Sequence, residues 1–133
     1  MRGEFDLSTL LRSMDPTLSE TEYVFSTIGK EQLEGRNIKA LMQFREEEGV
    51  TLILDRNSAD TQGLTYENTW ALITLSVHSD LEAVGFIARV SGELAKEGIS
   101  VNVVSAFYHD HLFVPYEEGE DAMEILNRLS ENP

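Results

Sequence analysis

Two of the chain's three histidines flank an aspartate at His109-Asp110-His111. Alternate residues of an extended strand face the same way, so the two imidazoles could share a metal ion with Asp110 beside them. A third ligand has no evident source, because the remaining histidine, His78, lies at the far end of a different expected strand. The cluster reads equally as a polar hairpin corner closed by imidazole hydrogen bonds, or as a contact to a ligand or partner.

A second group, Ser79-Asp80-Leu81-Glu82 followed by Gly85, stands where an amphipathic pattern begins. Free amides at a helix start, from Ser79 and Asp80 through Val84 and Gly85, could receive a ligand carboxylate, and Gly85 would let a ligand approach the backbone. The same residues fit a capping box, with Gly85 allowing tight helix-sheet packing, and the two readings are compatible. Asn102 and Ser105 fall on opposite faces of an otherwise apolar strand and need a hydrogen-bond partner or a ligand; for Asn102 a backbone partner is the simpler solution. The glutamates at 46–48, with Glu117, Glu118, Glu120 and Asp121, read as solvated loop and first-turn charges rather than acid-base pairs. There is no nucleophile-elbow triad, phosphate-cradling glycine loop or dinucleotide fingerprint, so catalysis has no positive support and no cofactor is expected.

Positioning these residues requires a recognisable set of elements. Over Leu81 to Gly98, Ala83, Phe86, Ile87, Val90 and Leu94 recur at helical spacing, and Gly98 suits a left-handed helix end. Before it, Trp70 to Val77 is apolar on both faces, as an interior strand is. After it come a strand over Ile99 to Tyr108, the corner at His109 to His111, a strand over Leu112 to Val114, and a helix from Glu118 with Ala122, Ile125, Leu126 and Leu129 on one side. The N-terminal half predicts a short helix over Leu7 to Met14 stopped by Asp15-Pro16, and a strand over Tyr23 to Ile28. A stretch without periodicity, Gly29 to Lys39, leads to a hairpin of Ala40 to Arg45 and Val50 to Asp55, then a short helix over Ser58 to Gln62. Set side by side, FREEEGVTLILDRNSADTQ and FYHDHLFVPYEEGEDAMEI share a strand, polar corner, strand, helix outline, which hints at internal duplication.

Composition bounds the partners. With 24 acidic against 10 basic side chains the net charge is −14, which disfavours nucleic acid and anionic membrane surfaces. The absence of cysteine removes disulfides and thiolate chemistry and is compatible with a reducing compartment. No signal-peptide pattern or membrane-length apolar run is present, so a cytoplasmic location is expected.

The stretch GFIARVSGELAKEGISVNVVSA (Gly85 to Ala106) resembles the first helix and second strand of ACT domains. EYVFSTIG, FREEEGVTLIL, WALITLSVHSDLEAVGF and YHDHLFVP are closer still to a bacterial family of small ACT-like proteins of unknown function. Tandem-ACT amino-acid sensors, among them a cytosolic arginine sensor, are similar at the hairpin aspartate. The resemblance implies an α+β, ferredoxin-like βαββαβ fold in two copies, antiparallel sheets with helices on one face. It further implies regulation through an amino acid bound beside the first strand and the start of the first helix. Here Glu82-Ala83-Val84 replaces the short proline turn usual in the family, which lengthens that loop. Asp110 is the residue carried over from the sensors as the contact to a ligand's cationic end.

These readings define two modules, 1–65 and 66–133, that share strands as one folding unit. The expected activity is non-catalytic sensing of an amino acid or similar zwitterion. Its candidate contacts are Ser79, Asp80, Val84, Gly85, Asn102, Val103, Ser105, His109 and Asp110. A regulated protein is the expected partner, because two such modules leave no room for a catalytic domain, and a homodimer is a further expectation. A ligand-free interaction module and a metal-binding protein centred on His109 and His111 are the alternatives.

Overall fold

The structure, a computed structural model, describes residues 2–76 and 85–133, with residues 2–6 described by their backbone alone. In chain order its elements are α1 (Arg2–Arg12), β1 (Thr17–Ile28), α2 (Lys30–Leu33), β2 (Met42–Arg45), β3 (Val50–Asp55), α3 (Arg56–Gln62) and β4 (Trp70–Leu75). They continue with α4 (Phe86–Lys96), β5 (Asn102–Ser105), β6 (Asp110–Pro115), a 3-10 turn (Tyr116–Glu118) and α5 (Gly119–Glu131). The architecture is mixed α+β, with antiparallel strand pairs as the ferredoxin-like reading requires. The chain forms two compact units, Met1–Glu20 with Ala71–Pro133, and Thr21–Trp70.

In the first unit the strands run in the order β1–β4–β6–β5. Alternation at period two sends Ala71, Ile73 and Leu75 of β4 and Leu112 and Val114 of β6 into one core. Helices close that core with stripes at helical spacing: Phe86, Val90 and Leu94 from α4, and Ala122, Ile125, Leu126 and Leu129 from α5. Leu11 and Met14, from α1 and the turn after it, complete the core. Burying each large side chain contributes about 1.5–3 kcal/mol, so the stripes fix the helices far more firmly than helix propensity does. A Cβ on Gly119 would lie 3.2 Å from the Ala71 Cβ and 3.3 Å from the Leu18 Cδ1, so glycine lets α5 begin flush against the sheet.

In the second unit the order is β2–β3–β1, all antiparallel, with Tyr23 opposite Asp55, Ile28 opposite Val50, and Met42 opposite Ile53. Val24, Ile28, Val50, Leu52, Leu54 and Ala59 form its core, against which Leu33, Ile38 and Tyr66 pack. The buried Ser26 hydroxyl donates to the Thr65 carbonyl at 2.6 Å, which satisfies a polar group on an otherwise apolar face. The Asp55 carboxylate accepts from the Ser58 amide at 2.9 Å and the Ser58 hydroxyl at 2.7 Å, capping α3. These bonds hold its pKa below the ordinary carboxylate value. Gly63, at φ 72°, ends the helix in the left-handed region.

Several expectations change in detail. The helix expected from Leu81 begins at Phe86, because Gly85 at φ 90° cannot continue an α-helix; the Ser79–Glu82 capping box lies outside the described residues. Gly98 does take the left-handed conformation, at φ 77°. The strand expected over Ile99 to Tyr108 shrinks to β5, since Ile99 is still bonded back to the Leu94 carbonyl and 106–109 form a turn. Asp110 and His111 belong to β6 rather than to the corner. The first helix spans Arg2–Arg12 rather than Leu7 to Met14, and β1 starts six residues before Tyr23, at Thr17. The stretch read as aperiodic contains α2.

Candidate functional site

The hairpins β2–β3 and β5–β6 are copies at a constant offset of 60 residues, from Met42 and Asn102 at their starts to Asp55 and Pro115 at their ends. The register matches, with Met42 opposite Ile53 and Asn102 opposite Phe113. Each tip has the same turn bond: Glu46 N to Gly49 O at 2.8 Å, and Ala106 N to His109 O at 3.0 Å. The duplication read from the sequence is therefore real for the hairpins, but its alignment is MQFREEEGVTLILD with NVVSAFYHDHLFVP, three residues away from the one that paired Phe44 with Phe107.

The copied backbone carries different chemistry. Gly49 is tight: a Cβ there would meet the Ile28 carbonyl oxygen at 3.1 Å and the Thr27 hydroxyl at 3.2 Å. The hairpin tip thereby reaches the loop that follows β1, and Gly29, Lys30, Glu31 and Gln32 share an open cleft of about 450 Å³ with Glu47, Glu48 and Gly49. The cleft lies after β1 and beside the β2–β3 hairpin, away in sequence from the expected contacts at residues 79–85 and 102–110. Sequence reasoning placed no site residue there; it took Gly49 as a residue with an unusual backbone angle, whereas its φ is not positive and what needs glycine is the close approach to Ile28.

In the other hairpin the counterpart of Gly49 is His109. Its Nδ1 is buried and has no hydrogen-bond partner among the described residues. Asp110, next along the chain, is 5% exposed. The two imidazoles are 6.4 Å apart between centroids, and the His111 Nδ1 lies 3.0 Å from the Thr74 hydroxyl on the neighbouring strand. Burial lowers the His111 pKa, the adjacent His109 pushes it the same way, and Asp110 opposes both. His111 therefore stays neutral below the pH at which a free histidine would protonate. Among the described residues no group of three His, Cys, Asp or Glu side chains is placed to hold a metal.

The remaining candidates are scattered. Asn102 and Ser105 are exposed, so water satisfies them and neither requires a ligand; Val103 packs against the core. Gly85 caps α4. Ser79, Asp80, Val84 and His78 lie outside the described residues. The tip residues Phe107 and Tyr108, 71% and 64% exposed, meet edge to face at 5.0 Å. They are exposed aromatic side chains to which sequence reasoning gave no role.

An antiparallel sheet backed by helices, with the tip of one hairpin against the end of β1, is the framework of a small ligand-binding regulatory module. The sequence agrees: the ACT domain family matches twice, over residues 2–71 and 65–128, and the chain belongs to that family. A Vibrio cholerae protein of unknown function, described as a possible transport protein, is 39% identical over 96% of this chain and 98% of its own, with a TM-score of 0.85. An Agrobacterium tumefaciens protein (18% identity, 83% and 84% coverage, TM-score 0.68) has the same fold. So does the regulatory subunit of aspartate kinase from Thermus flavus (12% identity, 86% and 95% coverage, TM-score 0.64). No curated protein matches the sequence. No helix among the described residues is long and apolar enough to cross a membrane.

Proposed function

We propose that this ACT protein is a non-catalytic sensor of an amino acid or similar small zwitterion, acting in the cytoplasm on a separate partner protein. The observation that carries the reading is the buried Nδ1 of His109, without a hydrogen-bond partner among the described residues, next to the buried Asp110. An orphaned buried nitrogen costs roughly 1–3 kcal/mol, a cost that a ligand hydrogen bond would offset. Asp110 supplies the charge for the ligand's ammonium group. Ser79, Asp80, Val84 and Gly85 supply the amides that receive its carboxylate, a division of labour that matches the two ends of a zwitterion. The modules 1–65 and 66–133 then act as one unit, and binding alters partner affinity only as far as the ligand prefers one of two states.

The test is a thermal-shift screen of the twenty amino acids and simple amines at millimolar concentration. One or a few should raise the melting temperature, since ligand at 100 times its Kd adds about 2.7 kcal/mol. Asp110→Asn should abolish that shift. Uniform silence across the set would reject the proposal. The exposed Phe107–Tyr108 pair favours a second reading, a protein-interaction module, which would survive that silence.

A further inference from the structure

The second unit carries another cleft, at the end of β3 away from the hairpin tip, with a volume of about 300 Å³. Its walls are the segment leading into β2 and one side of the short helix α3, from Asn57 to Gln62. Asn37, Lys39, Asn57, Thr61 and Gln62 converge on it. Asn37, Lys39, Asn57 and Thr61 are exposed, so their side chains are hydrated and a ligand here would replace water on them. The wall is held in place from outside: the Arg36 guanidinium donates to the Gln62 carbonyl at 2.8 Å and to its side-chain oxygen at 3.0 Å, tying the 36–39 segment to α3.

The charge here runs against the rest of the molecule. In a chain with 24 acidic residues, no aspartate or glutamate is among the residues lining this cleft. Of the carboxylates next to it in the chain, Asp55 accepts from the amide and hydroxyl of Ser58, and Asp60 accepts from the Tyr66 hydroxyl. Lys39 lines the cleft and Arg36 stands at its lip, while three carboxamides and a hydroxyl offer both donors and acceptors. One cationic end surrounded by two-way hydrogen-bonding groups suits an anion that also carries hydroxyls, whereas a bare anion would leave the carboxamides unused.

We infer that this cleft is a binding site for a small hydroxylated organic anion, with Lys39 meeting the anionic head and Asn37, Asn57 and Thr61 the hydroxyls. It is separate from the His109–Asp110 site and does not depend on it. The head group is a carboxylate or a phosphate, and the probes distinguish them. Amide NMR spectra of the full chain would be followed during titration with gluconate and glycerol phosphate, with sorbitol and acetate as neutral-polyol and bare-anion controls. Movement of the 36–39 and 57–62 amides with gluconate or glycerol phosphate, but not with either control, is the expected result and names the head group. Lys39→Glu and Asn57→Ala, both exposed positions, should each weaken that binding by about tenfold or more while leaving the rest of the spectrum in place. Silence from both anions, equal response to acetate or sorbitol, or unchanged binding by the Lys39→Glu variant would overturn the inference.

Discussion

The two hairpins share strand lengths, register and turn bond, yet one tip reads Glu47-Glu48-Gly49 and the other Phe107-Tyr108-His109. Backbone geometry was kept where pairing and core burial demand it, and side chains diverged where solvent leaves them free. At the first tip, glycine lets the turn touch the end of β1. At the second, the equivalent position places an imidazole nitrogen in a buried setting with no hydrogen-bond partner among the described residues. The same scaffold thus offers an acidic, open cleft in one copy and an aromatic, histidine-bearing tip in the other.

The deepest shared feature is also the largest expected effect. Leu52 and Leu112 are equivalent and fully buried. Replacing either with alanine should cost about 2–5 kcal/mol in urea unfolding. Leu112 should cost more, because it shares a core with side chains from α1, α4 and α5, whereas the core of Leu52 draws Ala59 from α3. A larger loss at Leu52 would break the comparison.

The tips separate stability from function. Gly49→Ala should destabilise by roughly 1–3 kcal/mol, since the new methyl meets a backbone carbonyl that cannot turn aside. His109→Ala removes the nitrogen's desolvation cost but also the packing of a half-buried ring, opposing effects that should leave stability within about 1 kcal/mol while eliminating the amino-acid response. Reversed outcomes would mean that the histidine is structural and the glycine incidental.

The smallest effect falls at the hairpin ends, where Asp55 caps α3 directly and its counterpart Pro115 instead leads into a 3-10 turn before α5. Asp55→Ala should cost about 1 kcal/mol at neutral pH. Because folding lowers the pKa of Asp55 from 3.8, its contribution is complete above that value and fades as the pH falls through the lower folded-state pKa. The gap between variant and parent in an acid titration should close accordingly; a gap independent of pH would show that the carboxylate charge is irrelevant.

Much of this arrangement was legible in the residues. The apolar stripes of α4 and α5 and the both-faced apolarity of β4 announced themselves, because burial on that scale dictates residue type. The four-residue α2 has too few positions to show a period, and the first residues of β1, Thr17 to Thr21, are mostly polar and at least partly exposed, so neither leaves a hydrophobic trace. The start of α4 at Phe86 is set by the backbone angle of Gly85, which residue types alone do not show, and the expected cap at 79–82 lies outside the described residues. Of the site, the sequence singled out His109 and Asp110 by their density. It did not separate the turn residue from the strand residue, nor show that Asn102 and Ser105 face water.

The central claim is that His109 Nδ1 is completed by the sensed molecule. The direct measurement is nitrogen NMR of the His109 imidazole, before and after saturation with an amino acid that stabilises the protein. We expect the Nδ1 resonance to move to a hydrogen-bonded value on binding, with the His111 Nδ1, already beside Thr74, nearly unchanged. A saturated protein whose His109 nitrogens stay where they were would contradict the claim.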